Sequence, residues 1–179
     1  MYEVELKLEA EHGPVRERLS TLGAEPLGRV RQVDTYYDAP HRSFPETDEA
    51  LRVRVETDDE GRWVGITYKG PLVEAESKTR EEHETAVGDE TAARAILEGL
   101  GFTPAATVEK ERERFAYEGY TVTLDTVDGL GEFVEVETEA EAVEAAREGA
   151  IAVVRELGLE PDEQVRTSYL GLLLDERNA

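Results

Sequence analysis

The sequence predicts an α+β fold: a closed or nearly closed antiparallel β-barrel of eight strands, with helices packed on the outside. Three observations carry that expectation. Segment after segment alternates charged with aliphatic residues at the two-residue period of a strand. The lysines of the chain, Lys7, Lys69, Lys78 and Lys110, all fall on these segments and on their charged faces. Helical periodicity is confined to a few stretches between them. Turning every charged face inward and covering the apolar outside with helices uses all the segments at once. Roughly eight strands enclose enough space for side chains or one small ligand.

The elements follow in chain order. Glu3, Glu5 and Lys7 alternate with Val4, Leu6 and Leu8 in the first strand. Pro14 to Leu22 reads as a helix, with Pro14 in its first turn, Val15, Leu19 and Leu22 as its stripe, and Gly23 as its stop. Residues 30–38 form a strand closed by Pro40, and residues 39–48, with two prolines, a loop. Leu51-Arg52-Val53-Arg54-Val55 is the next strand. Asp58-Asp59-Glu60-Gly61 is a hairpin turn into residues 62–69. Gly70-Pro71 breaks the chain before a long strand over 76–87, which carries Lys78, Arg80, Glu82 and Glu84 on one face. Asp89 caps a helix that reaches about Leu100 and ends at Gly101. Strands follow over 107–117, 120–127 and 131–138. Thr138 and Glu141 have capping-box spacing for a helix with Val143, Ala146, Ala150, Val154 and Leu157 inward, stopped by Gly158. A short amphipathic helix over Thr167–Leu174 closes the chain. Glu3-Val4-Glu5 and its helix are echoed by Glu135-Val136-Glu137 and the helix after it, so related halves of the barrel would each bring a Glu-x-Glu pair to the lumen.

Length favours one domain over 1–179, with enough chain for a sizeable core. The sequence has 42 acidic against 20 basic residues and a net charge of −22. Such a surface opposes binding to nucleic acid or an anionic membrane, because phosphate contacts need a basic face. No apolar run is long enough to span a bilayer, and no secretory signal precedes the first strand. There is no cysteine, which excludes disulfides and thiolate metal sites. A cytoplasmic protein is expected. The acidic coat fits a salt-rich cytoplasm, since at 1 M salt the Debye length falls to ~3 Å and surface self-repulsion is screened.

Scarce basic residues are therefore more informative than the abundant carboxylates. Glu3, Glu5, Glu135 and Glu137 would converge in one cavity. Two unneutralised carboxylates 4 Å apart repel by ~4 kcal/mol at an effective dielectric of 20. They must take up protons, pair with Lys7 and the arginines, or hold a hard divalent cation such as Mg²⁺ or Mn²⁺. Lys7, Arg52, Arg54, Lys69, Arg80, Lys110, Arg112 and Arg114 form the facing basic set, costly to bury without a matching anion. A triphosphate with bound metal balances both signs. No Gly-x-Ser-x-Gly or Walker-type loop is present, and His12, His41 and His83 are scattered. Metal-assisted phosphoryl or nucleotidyl transfer is the chemistry left.

Glu3-Val-Glu5-Leu-Lys7 resembles the Glu-x-Glu-x-Lys signature of the CYTH superfamily, the triphosphate tunnel metalloenzymes. Asp34-Thr-Tyr-Tyr-Asp38, Leu51-Arg52-Val-Arg54, Tyr68-Lys69-Gly-Pro71, Lys78-Thr-Arg80, Lys110-Glu-Arg112, Leu124-Asp125 and Phe133-Val-Glu135-Val-Glu137 follow in the family's order. The resemblance implies an eight-stranded tunnel holding Mg²⁺ or Mn²⁺ on Glu3, Glu5, Glu135 and Glu137, with Asp125 nearby. It implies triphosphate contacts from Lys7, Arg52, Arg54, Lys69, Arg80, Lys110 and Arg112, and from Arg166 in the C-terminal segment. Lys7, Asp125 and Lys110 are the candidate catalytic residues. Asp34 to Arg54 and Ser168-Tyr169-Leu170 look most like the class IV adenylyl cyclase branch, which implies conversion of ATP to cyclic AMP and pyrophosphate. Hydrolysis of an inorganic or organic triphosphate, as in thiamine triphosphatases, and non-catalytic binding of a triphosphate are the alternatives. A homodimer is the family-based expectation.

The charge balance makes one prediction. Thermal unfolding in rising KCl should move to higher temperature as the acidic surface is screened; equal stability at 50 mM and 2 M salt (about these concentrations) would remove salt adaptation as the reason for that surface.

Overall fold

The computed structural model describes residues 1–177, and residues 178–179 of the expected domain lie outside that range. Nine strands form one antiparallel sheet: β1 (Tyr2–Glu9), β2 (Glu25–Asp38), β3 (Ala50–Thr57), β4 (Arg62–Lys69), β5 (Lys78–Arg80), β6 (Glu82–Ala86), β7 (Thr103–Tyr117), β8 (Tyr120–Val127) and β9 (Gly131–Ala140). Their spatial order is β5-β1-β9-β8-β7-β2-β3-β4-β6. The helices are α1 (His12–Leu22), α2 (Phe44–Thr47), α3 (Glu90–Gly99), α4 (Val143–Glu156) and α5 (Tyr169–Arg177).

The two ends of that order, β5 and β6, are separated in the chain only by Glu81. This is how the sheet nearly closes on itself. Lys78–Arg80 pairs with β1, and Glu82–Ala86 pairs with β4 at the opposite edge. The expected single strand over 76–87 is thus two strands, giving nine where eight were expected. A straight strand cannot lie against both edges, so the chain turns at Glu81. The Gly70 N–H donates to the Glu81 carbonyl at 2.9 Å, and the Arg80 guanidinium donates to the Gly70 carbonyl at 3.2 Å, which holds the corner.

Alternation places the two faces as the residue pattern requires. Val4, Leu6, Leu8, Val122, Leu124, Val134 and Val136 point outward and are buried under α1 and α4. Those helices contribute Val15, Leu19, Ala150, Val153 and Val154, joined by Leu157 just past the end of α4. Each fully buried aliphatic side chain stabilises the fold by about 1.5–3 kcal/mol. On the far side, Tyr37, Phe44, Leu51, Val53 and Val64 form a second cluster, against which Leu97 of α3 and Phe102 pack. Val108, Val127 and Phe133 turn inward and meet Tyr169 of α5, so one end of the barrel interior is apolar.

Several local readings are corrected. β2 starts at Glu25 and β7 at Thr103, earlier than periodicity indicates, because the two pair with each other from Glu25↔Ala116 to Asp38↔Thr103 through two register shifts. The capping box of Thr138 and Glu141 does not form: β9 continues to Ala140 opposite Tyr2, and α4 opens after Ala142 without a side-chain cap. Ladder hydrogen bonds to β1 outcompete a cap there. Thr138 instead donates its hydroxyl to the Gly119 carbonyl at 3.2 Å. The expected loop over 39–48 contains the one-turn helix α2. Asp89 caps α3 as expected, accepting from the Ala92 N–H at 2.9 Å, and Gly23 ends α1 with φ of 74°.

α4 lies close to the barrel at Gly149. A Cβ there would stand 2.0 Å from the Tyr120 hydroxyl, which donates to the Ala146 carbonyl at 2.9 Å. Gly149→Ala should therefore displace Tyr120 and cost about 1–3 kcal/mol in urea unfolding, the range for overpacking a core. Stability equal to or above the parent would show that this contact gives way freely.

Candidate active site

The inward faces line a cavity of about 1310 Å³. Its chemistry is set by which rungs the register brings level. Glu5 of β1 stands opposite Glu137 of β9 and opposite Lys78 of β5, and Glu3 opposite Arg80. Carboxylate oxygens of Glu3, Glu5 and Glu137 all lie within 4.8 Å of one another. Lys69 donates to Glu3 at 2.7 Å and bridges to Glu82 at 2.7 Å, while Lys78 holds Glu5 at 3.0 Å. Glu137 takes no ion pair among the described residues. Burial, opposed by Arg112 but aided by the Glu3, Glu135 and Glu5 carboxylates, pushes it up to about 7. Three convergent oxygen ligands, two of them paired with lysine and Glu137 without an ion pair, could hold a divalent cation, and among the described residues no thiolate or imidazole joins them.

Glu135, expected among the metal ligands, stands apart from that trio. Arg112 donates to it at 2.5 Å. Burial opposes its charge, but Arg112, Lys110 and Lys7 hold the carboxyl well below the usual range. Arg112 also forks onto Asp125 with two bonds of 2.7 Å. Asp125 is fully buried, does not line the cavity, and accepts the Tyr169 hydroxyl at 2.9 Å. On the opposite wall Arg54 forks onto Asp34, again at 2.7 Å twice, and Arg52 approaches the same carboxylate at 3.4 Å. Burial opposes the Asp34 charge, but Arg52 and Arg54 keep it ionised well below the ordinary carboxylate range.

The remaining expected cations divide by environment. Lys7 is 1% exposed; its Nζ donates to the Thr167 carbonyl at 2.6 Å and lies 4.4 Å from the centre of the Tyr169 ring. Lys110 lies 4.9 Å from that ring centre and 3.6 Å from Asp125. Burial, then Lys78, pushes Lys7 down to about 7, and burial, then Arg112, pushes Lys110 down to about 8. In each case burial and a neighbouring cation outweigh the nearby carboxylates, Glu5 and Glu135 for Lys7 and Asp125 and Glu135 for Lys110. Lys69, with Glu3 and Glu82 beside it, moves the other way despite its burial. Arg80 lines the cavity but spends its donors on the Asp48 and Gly70 carbonyls. Arg166 lies exposed at the cavity margin, with Nη2 3.5 Å from the Glu74 carbonyl.

Three participants escaped the candidate set. Lys78 was placed on a charged strand face but not among the ligand-binding cations; it lines the cavity beside Glu5. Asp34 had a signal in its alternation with Tyr36, but its partnership with Arg54 needs the β2–β3 register. Tyr169 gave no signal of its role, since its contacts lie on β1, β7, β8 and β9.

Residues 1–169 match the family model of the CYTH domain. A Methanocaldococcus jannaschii relative named "Putative adenylate cyclase MJ0240" is 36% identical over 176 residues, covering 96% of this chain and 98% of the relative. The solved structure of PH1819 from Pyrococcus horikoshii superposes with a TM-score of 0.91 at 39% identity, covering 98% of this chain and 99% of that one. A Vibrio parahaemolyticus structure described as a "putative adenylate cyclase" shares the fold at 23% identity and a TM-score of 0.84, with 98% of each chain covered.

The Asp34–arginine pair makes a prediction with a definite sign. Its depressed carboxyl contributes stability above the ordinary carboxylate range, and that contribution is lost as pH falls through and below that range. Asp34→Asn leaves buried guanidinium charge unmatched and should cost about 3–5 kcal/mol at pH 7. The deficit should shrink in acid; a urea midpoint at pH 7 equal to the parent's would rule the pair out as a stabilising element.

Proposed function

The chain belongs to the CYTH-domain family, and on that premise we propose that it is a metal-dependent enzyme acting on a triphosphate, with an adenylyl cyclase-like reaction, ATP to cyclic AMP and pyrophosphate, as the first reading. One observation carries it. Three convergent carboxylates, of which Glu137 has no ion pair among the described residues, line the same cavity as Lys7 and Lys110, buried cations that the Glu5, Glu135 and Asp125 carboxylates only partly offset. A polyanion bound with a divalent cation relieves both. The name of the Methanocaldococcus relative supports the cyclase over other triphosphate chemistry.

In this reading Glu3, Glu5 and Glu137 hold Mg²⁺ or Mn²⁺, which when bound supplies Lewis acidity toward phosphoryl oxygens. Glu135 serves them indirectly, by fixing Arg112. Arg52, Arg54 and Arg112 present guanidinium groups already oriented by Asp34 and Asp125, so binding a triphosphate requires little reordering of them. Asp125 is a positioning residue, because it touches Arg112 and Tyr169 rather than the cavity. Lys69 and Lys78 shield the Glu3 and Glu5 carboxylates from the incoming phosphates.

The chemical step requires a proton acceptor near the attacking hydroxyl. Lys7 suits it: with burial and Lys78 pushing it to about 7, its Nζ is partly neutral at neutral pH. It retains an N–H for the Thr167 carbonyl in either state. The ribose 3′-oxygen bonds to the α-phosphorus as its proton passes to Lys7 Nζ. The bond from the α-phosphorus to the bridging oxygen breaks, and pyrophosphate leaves with its added charge facing Lys110 and the arginines.

Incubation with ATP and Mg²⁺ or Mn²⁺ should yield cyclic AMP and pyrophosphate in equal amounts. Orthophosphate from tripolyphosphate, with no cyclic AMP from ATP, would replace the cyclase with a hydrolase; tight binding without turnover would replace both. Glu137→Gln should fold normally by circular dichroism and lose about 100-fold or more in metal-dependent turnover, because several kcal/mol of charge stabilisation go with the metal.

A further inference from the structure

The catalytic reading leaves one part of the tunnel wall unused. Trp63, the only tryptophan of the chain, stands at the start of β4 and lines the cavity, half-buried. Its indole is laid across the backbone of Gly65. A Cβ at residue 65 would lie 2.1 Å from Cη2, 2.6 Å from Cζ2 and 2.8 Å from Cζ3 of the ring. No other residue type at 65 leaves room for the indole in that position. Gly65 is itself opposite Arg54, so the ring borders the wall that carries the phosphate-binding guanidinium.

The same row holds a second unused group. Register places Trp63 opposite Glu56, and Glu56 opposite Gln32. Gln32 is 2% exposed and lines the cavity. Its amide Nε2 donates to Glu56 Oε2 at 2.7 Å, while Arg114 donates to the other Glu56 oxygen at 2.8 Å. A carboxylate only accepts, so the amide nitrogen must face it and the Gln32 carbonyl is turned away. That carbonyl oxygen, Oε1, is buried and has no hydrogen-bond partner among the described residues. The oxygen is closed off where it stands, so a ligand N–H reaches it only as the Gln32 amide turns toward the cavity, and that contact would remove the cost of a buried acceptor without a donor.

We propose that Trp63 and Gln32 form a subsite for the flat ring of an organic triphosphate, a ring carrying an exocyclic amino group that donates to Gln32 Oε1 while its face stacks on the indole. This rests on the reading of the cavity as a triphosphate tunnel and narrows its substrate class. Inorganic triphosphate has neither a ring for Trp63 nor a donor for Gln32. An amino-bearing nucleoside triphosphate has both, and its phosphates would extend from the Trp63 side toward Arg54.

The single tryptophan makes the test direct. ATP added with Mg²⁺ should quench or shift the Trp63 emission saturably, at the concentration range where calorimetry shows binding, whereas tripolyphosphate should bind with a clearly smaller change. Trp63→Leu should lower the ratio of ATP to tripolyphosphate affinity by about 5- to 100-fold, the span of base–aromatic stacking. Purine riboside triphosphate, which lacks the amino group, should bind the parent about 2- to 10-fold more weakly than ATP, and Gln32→Leu should abolish that difference. ATP that binds no better than tripolyphosphate and leaves the parent's emission unchanged would overturn the subsite while leaving the tunnel reading intact. Failure of both ligands to bind would overturn the tunnel reading and the subsite with it. The fluorescence and the ligand comparison use the parent protein, so a variant that misfolds does not obscure the result.

Discussion

A wall of ionised side chains can line a protein interior only if nearly every charge in it meets an opposite one. Removing a single ion from water costs several kcal/mol even after relaxation. Here the antiparallel register supplies the matches. Arg54 lies across from Asp34, Arg112 across from Asp125, and Lys7 across from Glu135 on neighbouring strands. Two of these become forked guanidinium–carboxylate pairs, the geometry that recovers most of the desolvation cost. The cavity is therefore stiff before any ligand enters it. Its arginines are aimed by carboxylates buried behind them rather than left to search solvent.

The exceptions to that matching are as informative as the rule. Glu137 makes no ion pair among the described residues, although Arg112 partly offsets its burial, and Lys7 and Lys110 are crowded by like charge and by loss of water. Their displaced titration has one leading cause, which is that burial costs each of them more than the opposite charges nearby return. Lys7 and Lys110 do gain the face of Tyr169, whose hydroxyl in turn reaches Asp125. An aromatic ring attracts a cation weakly compared with a phosphate oxygen, so this contact holds the lysines in place without satisfying them. The C-terminal helix thus ties together strands that are remote from it in the chain.

The outside of the barrel obeys simpler physics. Val4, Leu6 and Leu8 repeat on β1 at the strand period, and Val15 and Leu19 repeat on α1 at the helix period, so each buries the other. These elements were readable from the residues alone. The capping box at Thr138 was not, because local spacing cannot register that β1 offers β9 a longer ladder. The break at Glu81 was missed for a related reason. Residues 76–87 alternate like one strand, and only closure of the sheet, with its two edges to be joined, requires a corner there. The functional face was legible in kind, as strands of alternating charge, but not in pairing. Nothing in the chain near Glu135 says that Arg112 claims it, nor that Glu56 leaves the Gln32 carbonyl without a donor.

The sequence by itself determined which side chains face inward, because strand alternation is a property of the backbone and scarce lysines and arginines at that period cannot be accidental on so acidic a chain. It also determined the family, through motifs recurring in order along nearly the whole length. Tertiary structure decided which of those charges neutralise one another and which are left over. Strand order and register set that division at atomic distance, and Coulomb and desolvation energies vary too steeply with distance for residue order alone to supply it.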